Sequence, residues 1–326
     1  MIFEIRVPAT TANIGPGFDS LGVALSLHNR FTVEPAEATS VQGCEEKYRG
    51  TDNLFLVAMR RAAALLGTRA PIARLSIEAD IPTARGLGSS AAMIVGGAAA
   101  ALLLDERRDP GLPLSAEERR FILDAAAELE GHPDNAAPAA MGGFCASIAG
   151  AGIPGAAARI TCARCAVEPS WGFHAFVPPF ELPTREARAA LPAAVARGDA
   201  VFNAGRAALV ALAFEKGDAA LLAAACDDRL HQPYRKAMIP GYDEVMDAAR
   251  RGGAAAAWLS GAGPTLMALT VGDESASRLA AAMAPLLAAM PEGPWRHLRL
   301  SAEPSGVMFT ARAGASAAPR RKAAKQ

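Results

Sequence analysis

The 326 residues suffice for two ordinary domains, and with 51% apolar and 20% charged residues the chain can bury a large core, which excludes a largely disordered protein. The 33 Lys and Arg are balanced by 33 Asp and Glu, so no broad electrostatic hold on nucleic acid or on an anionic membrane surface is expected. Recognition of an anion must come from individually placed cations, most of them arginines.

Five cysteines do not make a disulfide framework in a chain of this size. The start, MIFEIRVPA, alternates like a strand and lacks the basic head and apolar run of a signal peptide, so a cytoplasmic location is expected. Residues 2–34 read as two strands interrupted by the loop TTANIGPGFDS, in which Gly15, Pro16 and Gly17 break any helix. Asn53 to Leu66 reads as a helix stopped by Gly67, and ARLSIEADI as a strand. From Ser89 the composition is helical, and the apolar run Ala91 to Leu104 is short of a membrane span and reads as a buried helix. Ser115 and Glu118 have the spacing of a capping box that opens a further helix. Gly131 and Pro133 end it, with His132, Asp134 and Asn135 in a short turn and the Gly-rich strand MGGFCASIA beyond.

The segment AGAGIPGAAA (149–158) marks the expected boundary between a first domain, 1–155, and a second, 156–313. RITCARCAV alternates as a strand, which points Cys162 and Cys165 to opposite faces and argues against a shared metal. Strand FHAFVPPF, helices between about 185 and 250, the hairpin AAAWLSGAGPTLMALTV, helix SASRLAAAMAPLLAAM and strand RHLRLSAE complete the order β-α-β-β-α-β. That order predicts a ferredoxin-like half within an α+β fold. Residues 314–326 read as a disordered basic tail.

The loop IPTARGLGSSAAM (81–93) carries the strongest chemical signal. Glycines permit close approach to the backbone, and the helix that follows begins with free N–H groups and the positive end of its dipole, a natural phosphate site. Read alone, the loop is equally a flexible turn capped by Ser89 or Ser90. It is neither a dinucleotide-binding turn, because the strand ends four or more residues too early, nor a P-loop, because it lacks the lysine. G-x-S-x-G is absent as well. Glu130 sits in the last turn of its helix, where the dipole disfavours a carboxylate; a divalent cation bridging it to phosphates would explain the placement, as would a solvated acid on a fraying end.

Four motifs occur in order: VPATTANIGPGFDSLGVAL (7–25), PTARGLGSSAA (82–92), EGHPDNAAPA (130–139) and LSGAGPT (259–265). Together they resemble the GHMP small-molecule kinases, and within them the homoserine kinases. The resemblance implies an N-terminal half like ribosomal protein S5 domain 2 packed on the ferredoxin-like half. It implies transfer of the γ-phosphoryl group of ATP to L-homoserine, Mg²⁺ as the metal, and a homodimer without nucleic-acid or membrane partners. Carried onto this chain, Pro82, Arg85, Gly86, Leu87, Gly88, Ser89, Ser90, Ala91 and Ala92 form the ATP phosphate cradle, with Asn53 near the adenine. Ser90 and Glu130 correspond to the metal ligands, Glu128 being the alternative to the latter. Ser260, Gly261, Gly263 and Thr265 line the phosphate region from the second domain. Asn13, Asp19 and His132 hold the amino acid, Asp19 opposing its ammonium, while Arg188 and Arg235 clamp its carboxylate. Thr184 lies near the transferred phosphate. Asn135 stands where mevalonate-type relatives carry an aspartate, so it can orient a hydroxyl but not take its proton. Two other readings remain. A GHMP kinase for another alcohol, mevalonate or a sugar, would carry a lysine in the first motif. A non-catalytic ATP and amino-acid sensor would have lost Glu130, Ser90 or the Gly-rich loop.

Overall fold

The computed structural model describes residues 1–150 and 159–313. The first sheet begins with β1 (Ile2–Ala12) and β2 (Leu21–Pro35), antiparallel neighbours. Alternation along β1 buries Phe3, Ile5 and Val7, and beyond Val7 every residue is buried. That inner half lies between the helical layer and Trp258 of the second unit, whose indole N–H donates to the Thr11 hydroxyl at 3.0 Å. β3 (Ser40–Gln42) is followed by α1 (Leu54–Leu65), β4 (Ala73–Ala79), α2 (Ser89–Leu103), α3 (Ala116–Glu130), α4 (Pro133–Met141), β5 (Phe144–Ala149) and β6 (Ile160–Cys165). Besides β1, β2 has two further partners: Leu21–Val23 pairs with β5, and Asn29–Pro35 with β4.

α2 is the spine of this half. Its Ala-rich sequence is buried on nearly every side, and Gly97 lets it press against α1, since a Cβ there would overlap the carbonyl oxygen of Phe55. The capping box expected at Ser115 and Glu118 is formed in full at the start of α3.

The second sheet is built from β7 (Trp171–Val177), then α5 (Thr184–Ala189), α6 (Arg197–Lys216), α7 (Ala219–Ala225), α8 (Gln232–Arg235), α9 (Tyr242–Arg251), β8 (Ala256–Leu259), β9 (Leu266–Val271), α10 (Gly272–Ala288) and β10 (Arg296–Leu300). The strand order is β10-β7-β9-β8, antiparallel throughout, as a ferredoxin-like β-α-β-β-α-β unit requires. α9 and α10 close it over Val245, Met246, Leu279 and Met283.

Two expectations need correction. The stretch after Gly131 is not a turn leading to a strand but α4, opened by Pro133 at its first position, where the missing N–H and fixed φ suit a helix. The expected boundary at 155/156 lies outside the described residues, but β6, expected in the second domain, pairs with β5 in the first sheet. The last strand, β11 (Met308–Arg312), likewise returns to pair with β1, so the first unit is made from both ends of the described chain. Alternation marks a strand but not the sheet it joins. The expected tail and most of the boundary segment lie outside the described residues. No described helix is long and apolar enough to cross a membrane.

Candidate active site

The start of α2 has Gly88 as its N-cap, at φ +71°, and no side chain caps it. A Cβ at Gly88 would overlap the Thr10 hydroxyl, so glycine is required both by conformation and by space. The reading of Ser89 or Ser90 as a structural cap is therefore excluded. The Ser90 hydroxyl instead donates to Glu130 Oε2 at 3.1 Å, and both line a cavity of about 610 Å³ between the two units. Ala84, Gly86, Gly88, Ser89, Asn135, Gly261 and Ala262 share that wall. From the second unit, the Ser260 hydroxyl bonds to the Gly86 carbonyl at 2.6 Å and pins the loop against LSGAGPT.

A second, larger cavity of about 1150 Å³ opens off the first and shares Ala84, Ser89, Ser90 and Thr184 with it. Tyr48, Leu54, Ile77, Ala79 and Met93 give it an apolar wall suited to a base. Asn53 lies in that wall, but its side chain is engaged: it accepts from Phe55 N–H to cap α1 and donates to the Tyr48 carbonyl.

At the other end of the first cavity two arginines converge. Arg188 makes a bidentate pair with Asp19, at 2.6 and 3.1 Å. Arg235 is almost fully buried, donates only to the carbonyls of Ala187 and Gly261 and to His231, and has no carboxylate partner among the described residues. Both guanidinium groups lie over the ring of Phe18, 5.3 and 5.6 Å from its centroid. Burial, and then the neighbouring charge of Arg188, push Arg235 down to about 10. A buried cation without a counter-ion is unfavourable unless a ligand supplies one. Asn13, at φ +70°, donates to the Gly261 carbonyl and accepts from Asp19 N–H, which fixes the loop that presents Asp19.

Between the two ends runs a polar chain. His132 Nδ1 is 2.8 Å from Asp134 Oδ1, Asn135 Nδ2 donates to the same oxygen at 3.2 Å, and the Thr10 hydroxyl donates to Asn135 Oδ1 at 2.7 Å. Burial opposes charge on His132, but the Asp134 hydrogen bond and the nearby carboxylates prevail and its pKa is raised. Asp19, His132 and Asp134 bring ligand atoms within 4.8 Å of one another, yet Asp19 is already neutralised by Arg188. Glu130 is different: it has no Lys or Arg partner among the described residues, and burial raises its pKa. A carboxylate and a hydroxyl oxygen side by side, with no Lys or Arg in contact among the described residues, are a hard donor set that fits Mg²⁺. Glu128, the alternative, points elsewhere and pairs with Arg61.

The structure thus brings Asn13, Asp19, Gly86, Gly88, Ser89, Ser90, Glu130, His132, Asn135, Thr184, Arg188, Arg235 and Gly261 to one cavity. Other expected residues contribute differently. Arg85 also lines the cavity, but its guanidinium is engaged by the carbonyls of Thr83, Pro178 and Pro179 and by Glu181, so it ties the loop to the second unit. Leu87, Ala91 and Ala92 are buried and offer a ligand only their backbone; Pro82 has no N–H to offer and lies outside the cavity lining. Gly263 and Thr265 stand behind Ser260 and Gly261; Thr265 N–H donates to the Arg85 carbonyl. Sequence reasoning missed Thr10, Phe18, Asp134 and His231; all but His231 sit within quoted motifs, where only neighbouring residues were assigned.

A helix start without a side-chain cap, a Ser–Glu pair and a ferredoxin-like second unit define a small-molecule kinase of the GHMP class. Residues 53–143 match the GHMP kinases N terminal domain and residues 210–286 the GHMP kinases C terminal domain. A homoserine kinase of Clostridium botulinum is 42% identical over 82% of this chain and 85% of its own length, and one of Picosynechococcus is 42% identical over 86% and 90%. The crystal structure of homoserine kinase from Cytophaga hutchinsonii superposes with a TM-score of 0.81 over 95% of this chain and 97% of that one, at 24% identity. The chain belongs to the homoserine kinase family of GHMP kinases.

Proposed function

We propose that this chain transfers the γ-phosphoryl group of ATP to the side-chain hydroxyl of L-homoserine, giving the O-phospho-L-homoserine used in threonine synthesis. One observation carries the choice of acceptor: the buried guanidinium of Arg235, without a carboxylate partner among the described residues, beside the Asp19–Arg188 pair. A zwitterionic amino acid is the ligand that satisfies all three groups. Its carboxylate answers Arg235 and Arg188, and its ammonium replaces Arg188 as the partner of Asp19. An alcohol with only one of the two charges leaves a buried group unanswered.

The side-chain hydroxyl then points toward Asn135 and the start of α2, where the phosphates of ATP take the free N–H groups. Asn135 has its carbonyl oxygen bonded to Thr10 and its amide held by Asp134, so it positions the hydroxyl rather than deprotonating it. Little basicity is needed in a loose phosphoryl-transfer transition state, and the proton leaves to phosphate or water. Ser90 and Glu130 would hold Mg²⁺, which when bound neutralises charge on the phosphate oxygens. Thr184 borders both cavities, which supports a role beside the transferred phosphate.

The test is an ATP-dependent assay over L-homoserine, mevalonate, shikimate and galactose, with 4-hydroxybutyrate and 3-aminopropan-1-ol as homoserine lacking one charge each. Turnover of homoserine, with kcat/KM lower by about 10² or more for each truncated alcohol, is expected. Preference for mevalonate or a sugar, or binding of ATP and homoserine without turnover, would sink the reading.

A further inference from the structure

His231 lies at the point where the acceptor loop meets the helix that carries Arg235. It is fully buried and its ring stacks on Phe18 at 5.3 Å. Nε2 is 2.8 Å from the Gly15 carbonyl, which can only accept, so Nε2 carries the proton. Nδ1 is 3.4 Å from Nη1 of Arg235, which can only donate, so Nδ1 is the acceptor. Two partners with fixed roles therefore set one tautomer. Asp228 Oδ2, 3.5 Å from Nε2, already accepts from the backbone N–H groups of His231 and Gln232 and anchors the start of α8. The charged groups around the ring are Asp228, Arg235 and, on the loop, Asp19.

With Nη1 held by His231 and the Gly261 carbonyl, and Nε by the Ala187 carbonyl, Nη2 is the part of Arg235 left without a hydrogen bond among the described residues. The imidazole thereby orients the fork of Arg235, a residue that lines the cavity, while its other nitrogen grips the loop that bears Asn13 and Asp19. We propose that His231, as the neutral Nε2–H tautomer, is a positioning residue that sets the spacing between the carboxylate-binding end of Arg235 and the ammonium-binding Asp19. This deepens the acceptor reading above and rests on it. Burial holds the imidazole below its ordinary pKa and so keeps it in the neutral form that both contacts require.

Two substitutions in the full-length protein separate the two arms. In His231→Gln the amide nitrogen reaches where Nε2 stood and keeps the bond to Gly15, but the acceptor toward Arg235 is lost. In His231→Asn the amide oxygen stands near Nδ1 and keeps that acceptor, but the tether to Gly15 is lost. The Gln variant is expected to raise KM for homoserine by about tenfold or more, with KM for ATP within about twofold and no matching penalty on 3-aminopropan-1-ol, which has no carboxylate. The Asn variant is expected to penalise both acceptors, because the loop carrying Asp19 is released. An unchanged homoserine KM in either folded variant overturns the proposal. So does an equal rise in KM for ATP, or an equal penalty from Gln on the acceptor without a carboxylate. Should neither variant fold, ¹⁵N NMR of the histidine rings in the wild type decides: a proton on Nδ1 of His231 refutes it, and an Nε2–H tautomer whose Nδ1 resonance moves on adding homoserine supports it. A wild type without selectivity for homoserine would instead fail the acceptor reading and leave the tautomer result standing.

Discussion

At the nucleotide end of the cleft the protein presents mostly backbone: a helix start without a side-chain cap, glycines at positive φ, two serines and one carboxylate without a Lys or Arg contact among the described residues. At the amino-acid end it presents charged side chains, and most of them already answer one another: Asp19 with Arg188, His132 with Asp134. The first end is ready for an anion as it stands, since dipoles fixed by the helix need no rearrangement. On the acceptor reading proposed above, the second exchanges partners, because the zwitterion takes Arg188 from Asp19. The ion pair would then act as a placeholder with the charge pattern of the ligand. Discrimination against alcohols of the wrong charge should reside at this end, and charge neutralisation of the phosphates at the other.

The largest expected effect tests that division at the nucleotide end. Glu130→Gln should lower kcat by about 10³, as removal of a group that stabilises transition-state charge does, with KM for homoserine little changed. Burial raises the Glu130 pKa, so without metal its ionised form destabilises the fold at pH values above the ordinary carboxylate range. The variant should therefore melt at or above the wild-type temperature in metal-free buffer at neutral pH. A variant that loses stability and activity together would make Glu130 structural and break the comparison.

Next come Asp19→Asn and Arg188→Ala, read as KM for homoserine. Each should raise it by about 10², with kcat less affected. The side chains are 33% and 37% exposed, so the pair contributes less than about 1 kcal/mol to folding and melting should barely move. The double variant should fall short of the product of the two effects, because the groups act on one ligand. Gly88→Ala is smaller again. An alanine at φ +71° strains the backbone by about 1–2 kcal/mol and its Cβ displaces Thr10. KM for ATP should rise by about tenfold while the homoserine KM stays near wild type. Equal rises in both would mean that the two ends are not separable.

The same contrast explains what the sequence disclosed. The nucleotide end was legible because its chemistry is contiguous: 82–92 supplies glycines, serines and helix start in one stretch, and Gly131, the C-cap of α3, places Glu130 at a predictable helix end. The ferredoxin-like unit was legible because its six elements follow one another along the chain. The amino-acid end is assembled from residues 13–19, 130–135, 188 and 231–235, and no local pattern says that Arg188 meets Asp19, 169 positions away, or that Arg235 is buried. Only the family resemblance joined them. Arg85 shows the reverse: it sits inside the phosphate motif, yet spends its charge on carbonyls across the cleft. That β6 and β11 belong to the first sheet was hidden for a related reason, since alternation carries no address.

The smallest effect concerns Asn135, where the two ends meet. Its carbonyl oxygen accepts from Thr10, a bond a carboxylate could also accept, while its amide donates to Asp134, a partner that suits an amide and not a second carboxylate. Asn135→Asp places a second carboxylate beside buried Asp134, and one of the two must then bind a proton more tightly. Were the reaction limited by removal of the hydroxyl proton, this variant would gain activity as pH rises through the shifted value. With a loose transition state it should instead lose less than about tenfold in kcat and keep the wild-type shape of the pH–rate curve. Asn135→Ala, which removes the aligning group, should lose more than the Asp variant and still show no new acid limb. A sharp drop in the Ala variant together with an acid-dependent limb would assign a proton to this position and shift the catalytic weight toward the amino-acid end.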